Sequence, residues 1–205
     1  MKSSHILVLT FVIAIIGFVM YSLRGGQSDE GYTEAILKER EEKNAFMKSE
    51  ESPFTDTTKI FDGLKYFPPD VKYRVTANLE VTENKKVVML LTSDGKEQRY
   101  LEYAYATFGI DGVENKLLIL EIMDIGPQRG KLFLAFADAT SALETYGAGR
   151  YLDVKKVPGA TSITLDFNQA YNPYCAYSDA FSCPFPPREN ILTTAIRAGE
   201  KSYHE

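Results

Sequence analysis

Apolar and polar residues alternate along much of the chain after residue 70. From Tyr73 to Val81 every second side chain is apolar, which is the pattern of a half-buried strand. Further strands are predicted at 86–92, 98–108, 116–123, 131–137, 150–157, 161–167 and 191–200. The first five strands follow one another through short turns, so they are predicted to pair as an antiparallel meander. The later strands of this meander are apolar on both faces, which predicts a mainly β fold closed into a barrel or a sandwich.

The N-terminal segment is apolar on every face. Residues 6–23 carry no charged side chain, and as a helix they would span roughly 27 Å, close to the thickness of a bilayer core. Because no small-residue cleavage motif follows, we interpret residues 1–24 as an uncleaved signal anchor, with a cleaved signal peptide as the alternative. Lys2 precedes the segment. This weak bias predicts that the anchored domain lies outside the cytoplasm, on the periplasmic or extracellular face.

Residues 25–52 are predicted to form a linker and a juxtamembrane helix. The pattern favours a helix over residues 32–52, with opposite charges four residues apart at Glu39 and Lys43. Few apolar residues lie in this stretch, which predicts a mostly solvated helix that ends before Pro53. Residues 53–205 are then expected to form a single β-rich domain.

Charge and histidine content exclude several classes of function. The 205 residues carry a net charge of -5 and no run of basic residues, so a nucleic-acid partner is not expected. The two histidines, His5 and His204, lie near the ends of the chain. A zinc site or a histidine-dependent catalytic triad is therefore not expected. No motif for a phosphate, a nucleotide or a redox cofactor is present, so no cofactor is predicted.

Residues 171–187, YNPYCAYSDAFSCPFPP, hold both cysteines and four prolines. A disulfide between Cys175 and Cys183 suits a domain outside the cytoplasm and would close a small rigid loop. Two free buried thiols are the main alternative. A zinc site and a catalytic thiol are disfavoured because no further cysteine and no well-placed histidine accompany the pair.

Three segments carry a resemblance to a known family. FDGLKYFPPDVKYRV, FADATSALETYGAGRYLDV and LDFNQAYNPYCAYSDAFSCPFPPRENILTTAIRAGEK together resemble the family catalogued as domain of unknown function 1684. The resemblance extends from about Phe46 to Tyr203. It implies a shared fold and a shared cluster of polar residues, without an established reaction. Ala142 stands where the family tends to have glycine, and Ala135 stands where proline is common.

Polar side chains are concentrated at the turns of these segments. A hairpin of strands 150–157 and 161–167, together with a helical turn at 141–146 and the cysteine loop, would gather many of them at one rim of the sheet. We interpret them as groups that brace long loops. A ligand pocket is the first alternative, and hydrolysis by Asp166 and Glu189 is the second. The candidate residues are Glu144, Tyr146, Arg150, Asp166, Asn168, Tyr171, Asn172, Glu189 and Asn190.

The sequence therefore predicts a membrane-anchored, extracytoplasmic module of the cell envelope that binds a ligand or takes part in an assembly. The expected partners are the membrane, through the N-terminal helix, and a protein of the envelope. The alternative is a carboxylate-dependent hydrolase acting on an envelope substrate.

Overall fold

The structure is a computed structural model that describes residues 28–54, 61–124 and 126–203. Within these residues the chain forms one α-helix, seven strands and four short 3₁₀ turns. The helix is α1 (Asp29–Met47). The strands are β1 (Arg74–Val81), β2 (Val87–Leu91), β3 (Glu97–Ile110), β4 (Val113–Ile122), β5 (Leu132–Phe136), β6 (Arg150–Leu152) and β7 (Ser162–Asp166).

The strands build one antiparallel sheet that curls into a half-barrel. Its order is β6-β5-β4-β3-β1-β7, and β2 pairs with the first part of the long strand β3. A register shift between Glu102 and Ala104 marks an irregularity in β3, of the kind that bends a strand. The backbones of Tyr151 and Tyr171 exchange two hydrogen bonds of 2.8 and 3.0 Å, which connect β6 to the segment after β7. The predicted mainly β, antiparallel class is confirmed, with a curled half-barrel in place of a closed barrel or a sandwich. The meander is wrong at its first step, because β1 pairs with β3 and not with β2.

The predicted hairpin of residues 150–157 and 161–167 is wrong. β6 pairs with β5 through Leu134 and Leu152, whereas β7 pairs with β1 through Val75 and Leu165. The two strands therefore lie at opposite ends of the strand order. Their apolar residues each continue the core-facing side of a different neighbour, and that packing decides the pairing.

The predicted strand at 191–200 is also wrong. This segment makes only isolated bridges, one from Ile191 to Ala137 and one from Glu200 to Tyr66. Gly199 has a φ of +72°, and a Cβ at this position would lie 2.6 Å from two backbone oxygens. The carbonyl groups of residues 196, 198 and 200 accept hydrogen bonds from the Arg150 guanidinium, so a side chain takes the place of a neighbouring strand.

Residues 141–146 form a tight turn and no helix. The Thr140 carbonyl accepts hydrogen bonds from the backbone N–H groups of Leu143, Glu144 and Thr145. Ala142 has a φ of +62°, the left-handed region, which a helical turn does not use.

The core lies mainly on the concave face of the sheet. Side chains of β3, β4, β5 and β7 meet there, with Phe136 and Phe167 fully buried in edge-to-face contact at 5.2 Å. A smaller cluster of apolar side chains packs on the other face, around Leu118 and Leu120. The strands that looked apolar on both faces are therefore covered on both sides.

The helix α1 begins and ends earlier than predicted. At its start, the Ser28 hydroxyl accepts a hydrogen bond of 3.2 Å from the Gly31 N–H, as an N-cap does. Its second half packs along a stripe that includes Ile36, Arg40 and Met47, all of them buried. The helix is thus less solvated than its sequence suggests.

No helix in the described ranges is long and apolar enough to cross a membrane. The predicted anchor at residues 6–23 lies outside these ranges.

Candidate functional site

Arg150 is a buried cation held by backbone and carboxylate oxygens. Its side chain is 1% exposed, and it forms an ion pair of 2.6 Å with Asp138, which is also buried. The same guanidinium donates to the carbonyl groups of Ile196, Ala198 and Glu200, with 2.9 Å to Ile196. Burial lowers the pKa of Arg150, and the Asp138 carboxylate opposes that shift. Apart from the Asp138 carboxylate, the hydrogen-bond partners of this side chain are carbonyl groups of the C-terminal segment, so Arg150 braces that segment.

Asn168 and Asp166 brace the turn that precedes β1. The Asn168 amide accepts from the Asp70 N–H at 2.9 Å and donates to the Asp70 carbonyl at 2.8 Å, so it pairs with that residue as a strand backbone would. The Asp166 carboxylate accepts from the Asn168 N–H at 3.1 Å and from its amide group. Both side chains therefore hold backbone in place.

Asn190 fills the gap where β4 and β5 separate. Its amide accepts from the Leu118 N–H at 2.6 Å and donates to the carbonyl groups of Leu118 and Ala135 at 2.9 and 2.7 Å. The side chain is fully buried. Like Asn168, it replaces missing backbone partners in the sheet.

Glu200 is a buried carboxylate that was not among the predicted residues. It is 1% exposed and accepts from the Lys43 ammonium at 3.0 Å, from the Asn172 amide at 2.9 Å and from the Tyr177 hydroxyl. Burial, reinforced by the neighbouring Glu200 charge, raises the pKa of Tyr177 above the ordinary range, so this hydroxyl stays a donor. One signal in the sequence marks this residue, namely an acidic side chain at the end of the segment 191–200.

Only some of the predicted residues come together. The bridge between Tyr151 and Tyr171 sets Arg150 beside Asn172, and both contact Glu200, one through its carbonyl and the other through its carboxylate. Tyr171 donates to Asp153 at 2.9 Å. On the surface, Glu144 pairs with Arg197 at 2.9 Å.

Asp166 and Glu189 lie far apart. Asp166 is opposite Arg74 in the sheet, whereas Glu189 precedes Asn190, which binds Leu118. Leu118 lies opposite Tyr105 on the neighbouring strand, and Tyr105 in turn lies opposite Glu80. Glu80 follows Arg74 by six residues of strand, a separation of about 20 Å at 3.3 Å per residue. Two carboxylates that share one hydrolytic reaction are typically about 5–10 Å apart.

The two cysteines are free thiols in the structure. The Cys175 backbone N–H donates to the Cys183 sulfur at 3.2 Å, and the Tyr146 hydroxyl lies 3.9 Å from the Cys175 sulfur. The predicted disulfide is therefore not shown, although the two residues are neighbours in space.

An open groove with a volume of about 840 Å³ is here called the aromatic groove. It lies between the end of α1, the β5–β6 side of the sheet and the cysteine loop. Its lining residues are Lys43, Phe46, Met47, Ile122, Gln128, Lys131, Leu132, Phe133, Tyr151, Asp153, Gln169, Tyr171, Pro173, Tyr174, Phe181, Ser182, Cys183 and Pro184.

Aromatic side chains in the walls of the aromatic groove pack against one another. Tyr151 contacts Phe133 edge-to-face at 4.9 Å, and its hydroxyl donates to the Pro184 carbonyl at 2.7 Å. Tyr174 and Phe181 form a second edge-to-face pair at 5.2 Å. The Lys43 ammonium lies over the Tyr171 ring, 4.5 Å from its centre. Such a concave site with a few polar groups suits a small ligand.

A second cavity of about 460 Å³ lies beside β7 and includes Arg74 and Asp166. No group of three or more metal-binding side chains occurs in the described ranges.

Residues 59–201 match the family described as "Protein of unknown function (DUF1684)". The chain is also similar to the solution NMR structure of an uncharacterized protein from Haloarcula marismortui. The two share 40% sequence identity and a TM-score of 0.64, over 86% of this chain and 97% of that chain. No curated protein matches this chain.

Proposed function

Since the chain belongs to the DUF1684 family of proteins of unknown function, we propose that it is a binding module and that the aromatic groove is its ligand site. The observation that carries this proposal is the groove itself, whose volume of about 840 Å³ lies within the range of small-molecule sites. Its aromatic walls provide apolar surface whose side chains lose little conformational entropy when a ligand binds. Its rim carries the ammonium groups of Lys43 and Lys131 and the carboxylate of Asp153.

The charges of the rim indicate the kind of ligand. Lys43 is already paired with Glu200, and Asp153 accepts from Tyr171. Lys131 has no ion-pair partner among the described residues, so its ammonium is the group best able to receive an anion. The expected ligand has an apolar ring or chain that packs on the walls and an anionic group that binds Lys131.

The module is proposed to be held at the membrane, outside the cytoplasm, by residues 1–24, and to meet a protein of the envelope there. The support is the uncharged segment 6–23. The Cys175–Cys183 disulfide belongs to the same proposal, because an oxidising compartment favours its closed form. The separation of Asp166 from Glu189 does not favour the hydrolase alternative.

The ligand site is tested with 4-phenylbutyrate, a water-soluble aromatic carboxylate, by ligand-observed NMR on the full-length protein. We expect saturable binding, and weaker binding of the uncharged 4-phenylbutanamide. Phe181→Ala and Lys131→Gln should each weaken binding at least about fivefold, a loss of roughly 1 kcal/mol. Lys116→Gln, on the exposed face of β4, and Leu143→Ala, which is 82% exposed, are the matched controls. Equal binding by all four variants would contradict the proposed ligand site.

The anchor is tested by the intact mass of the protein extracted from its native membrane, with thiol alkylation before and after reduction. A full-length mass that takes up label only after reduction supports the anchored, disulfide-closed form. A mass cut near residue 24 contradicts the anchor, and label taken up before reduction contradicts the disulfide.

A further inference from the structure

Cys175 and Cys183 differ in how they are held. Cys183 is buried, and its backbone is fixed to the β2–β3 hairpin by two hydrogen bonds with Ser93, of 2.9 and 3.1 Å. Cys175 lies on the 3₁₀ turn Tyr174–Ala176 and is partly exposed. Its N–H reaches the Cys183 sulfur at 3.2 Å. Cys175 is thus the more exposed of the two residues, and the backbone of Cys183 is the more firmly held.

Three groups that can donate a hydrogen bond lie near the Cys175 sulfur. The Cys183 thiol, the Tyr146 hydroxyl and the Ser93 hydroxyl stabilise a thiolate on Cys175 and lower the pKa of that thiol. The same pairing raises the pKa of Cys183, which keeps its proton. Asp179 is the charged group that acts on Tyr146 from the loop between the cysteines, and Tyr100 and Tyr151 face Cys183 from the sheet.

We propose that Cys175 and Cys183 form a thiol–disulfide exchange site, with Cys175 as the attacking sulfur and Cys183 as the resolving one. The substrate class is a low-molecular-weight disulfide. The Cys175 thiolate attacks one sulfur of that disulfide, forms a mixed disulfide and releases one thiolate. The Cys183 thiol then passes its proton to the first released thiolate, attacks the Cys175 sulfur and releases the second thiolate, which takes a proton from solvent. The protein dithiol is oxidised and the small disulfide is reduced to two thiols.

The exchange site is adjacent to the aromatic groove but does not depend on ligand binding there. Tyr174 precedes Cys175, and Phe181 lies two residues before Cys183. Their edge-to-face contact at 5.2 Å spans the loop that the disulfide would close, and both rings line the groove. Opening or closing the disulfide would therefore change the positions of Tyr174 and Phe181 in one wall of the groove.

The test uses the full-length reduced protein with oxidised glutathione as the probe and intact mass as the readout. Wild type should lose the mass of two hydrogen atoms, as the dithiol becomes a disulfide, with only a transient glutathione adduct. Cys183→Ser should keep one glutathione on Cys175. Cys175→Ser should react at least tenfold more slowly at pH 6, since the remaining thiol is buried. Circular dichroism checks that both variants are folded. Equal rates for the two variants, or no reaction of the folded wild type, would overturn the proposal.

A pH profile separates an exchange site from a mere pair of neighbouring thiols. The rate of adduct formation should have its midpoint below about 8.5, the pKa of an ordinary cysteine. Tyr146→Phe removes one donor to the thiolate and should move that midpoint upward. A wild-type midpoint at the ordinary value, unchanged in Tyr146→Phe, would also overturn the assignment. Neither result depends on whether 4-phenylbutyrate binds.

Discussion

At the scale of single residues, three side-chain amides and one guanidinium form hydrogen bonds with backbone groups that a neighbouring strand would otherwise bind. Asn168, Asn172 and Asn190 are 0–1% exposed, and each of them bonds to backbone groups. The sequence identified these residues as candidates because amides at turns brace loops. It could not identify Asp138 or Glu200 as partners, because their role depends on which strands lie next to each other.

Ala142 is a residue whose backbone conformation does not suit its side chain. Its φ of +62° costs a Cβ-bearing residue about 1–2 kcal/mol, which glycine avoids. Ala142→Gly should therefore raise the free energy of unfolding by about 0.5–1 kcal/mol after the larger entropy of the unfolded glycine chain is subtracted. Chemical denaturation measures the difference.

The control for this prediction is Ala139→Gly, in the same turn. Ala139 is exposed and is not among the residues with positive φ, so glycine there should destabilise the protein. If both variants lose stability, the strain assigned to Ala142 is absent.

At the scale of elements, the strands were predictable and their partners were not. Alternation located β1 and β7, because a half-buried strand repeats every two residues, and apolar runs between turn residues located the strands between them. Pairing depends on contacts far apart in the sequence, so β6 and β7 were joined in error. The prediction that α1 is mostly solvated failed for a different reason. Its packed stripe includes Arg40, Lys43 and Asn44, which bond to the β domain, so hydropathy alone does not reveal it.

Lys43 connects α1 to the buried Glu200. Lys43→Met removes the cation beside a carboxylate that is 1% exposed, and it should lower the free energy of unfolding by about 2–3 kcal/mol. Lys38→Met is the matched control on the same helix. Its partner Glu42 is 3.9 Å away and both side chains are exposed, so the change should stay within about 0.5 kcal/mol.

Thermal and chemical denaturation measure both variants. In a double-mutant cycle, Glu200→Gln should cost less stability in the Lys43→Met background than in wild type. Equal costs would show that the two groups do not interact.

At the scale of the whole molecule, buried phenols are spread through the fold. Burial raises the pKa of Tyr66, Tyr100, Tyr151, Tyr171 and Tyr177. The composition shows that the chain has 13 tyrosines. It does not show which of them are buried, because burial by the curled sheet, α1 and the cysteine loop follows from the tertiary fold.

These tyrosines predict a steep loss of stability in alkali. Unfolded tyrosines ionise near pH 10. Above that pH the folded state binds more protons than the unfolded state, so stability falls by up to about 1.4 kcal/mol per pH unit for each buried phenol. Below pH 10 their contribution is fully present.

Tyrosinate absorbance after a rapid pH jump measures this effect. The first step should show fewer than the 13 tyrosines of the chain, and the remainder should ionise only as the protein unfolds. In denaturant all of them should titrate together near pH 10. A single complete step in the folded protein would contradict the prediction.

The hydrogen bonds between Arg150 and the last segment also protect the protein from associating with its own copies. Unpaired carbonyl groups along an exposed strand edge are a template on which another chain can pair, and such pairing leads to aggregation. Here residues 196, 198 and 200 are buried and their carbonyl groups are bound by one guanidinium, so they are not available to another chain. A side chain, unlike a strand, offers no second edge on which a further chain can add.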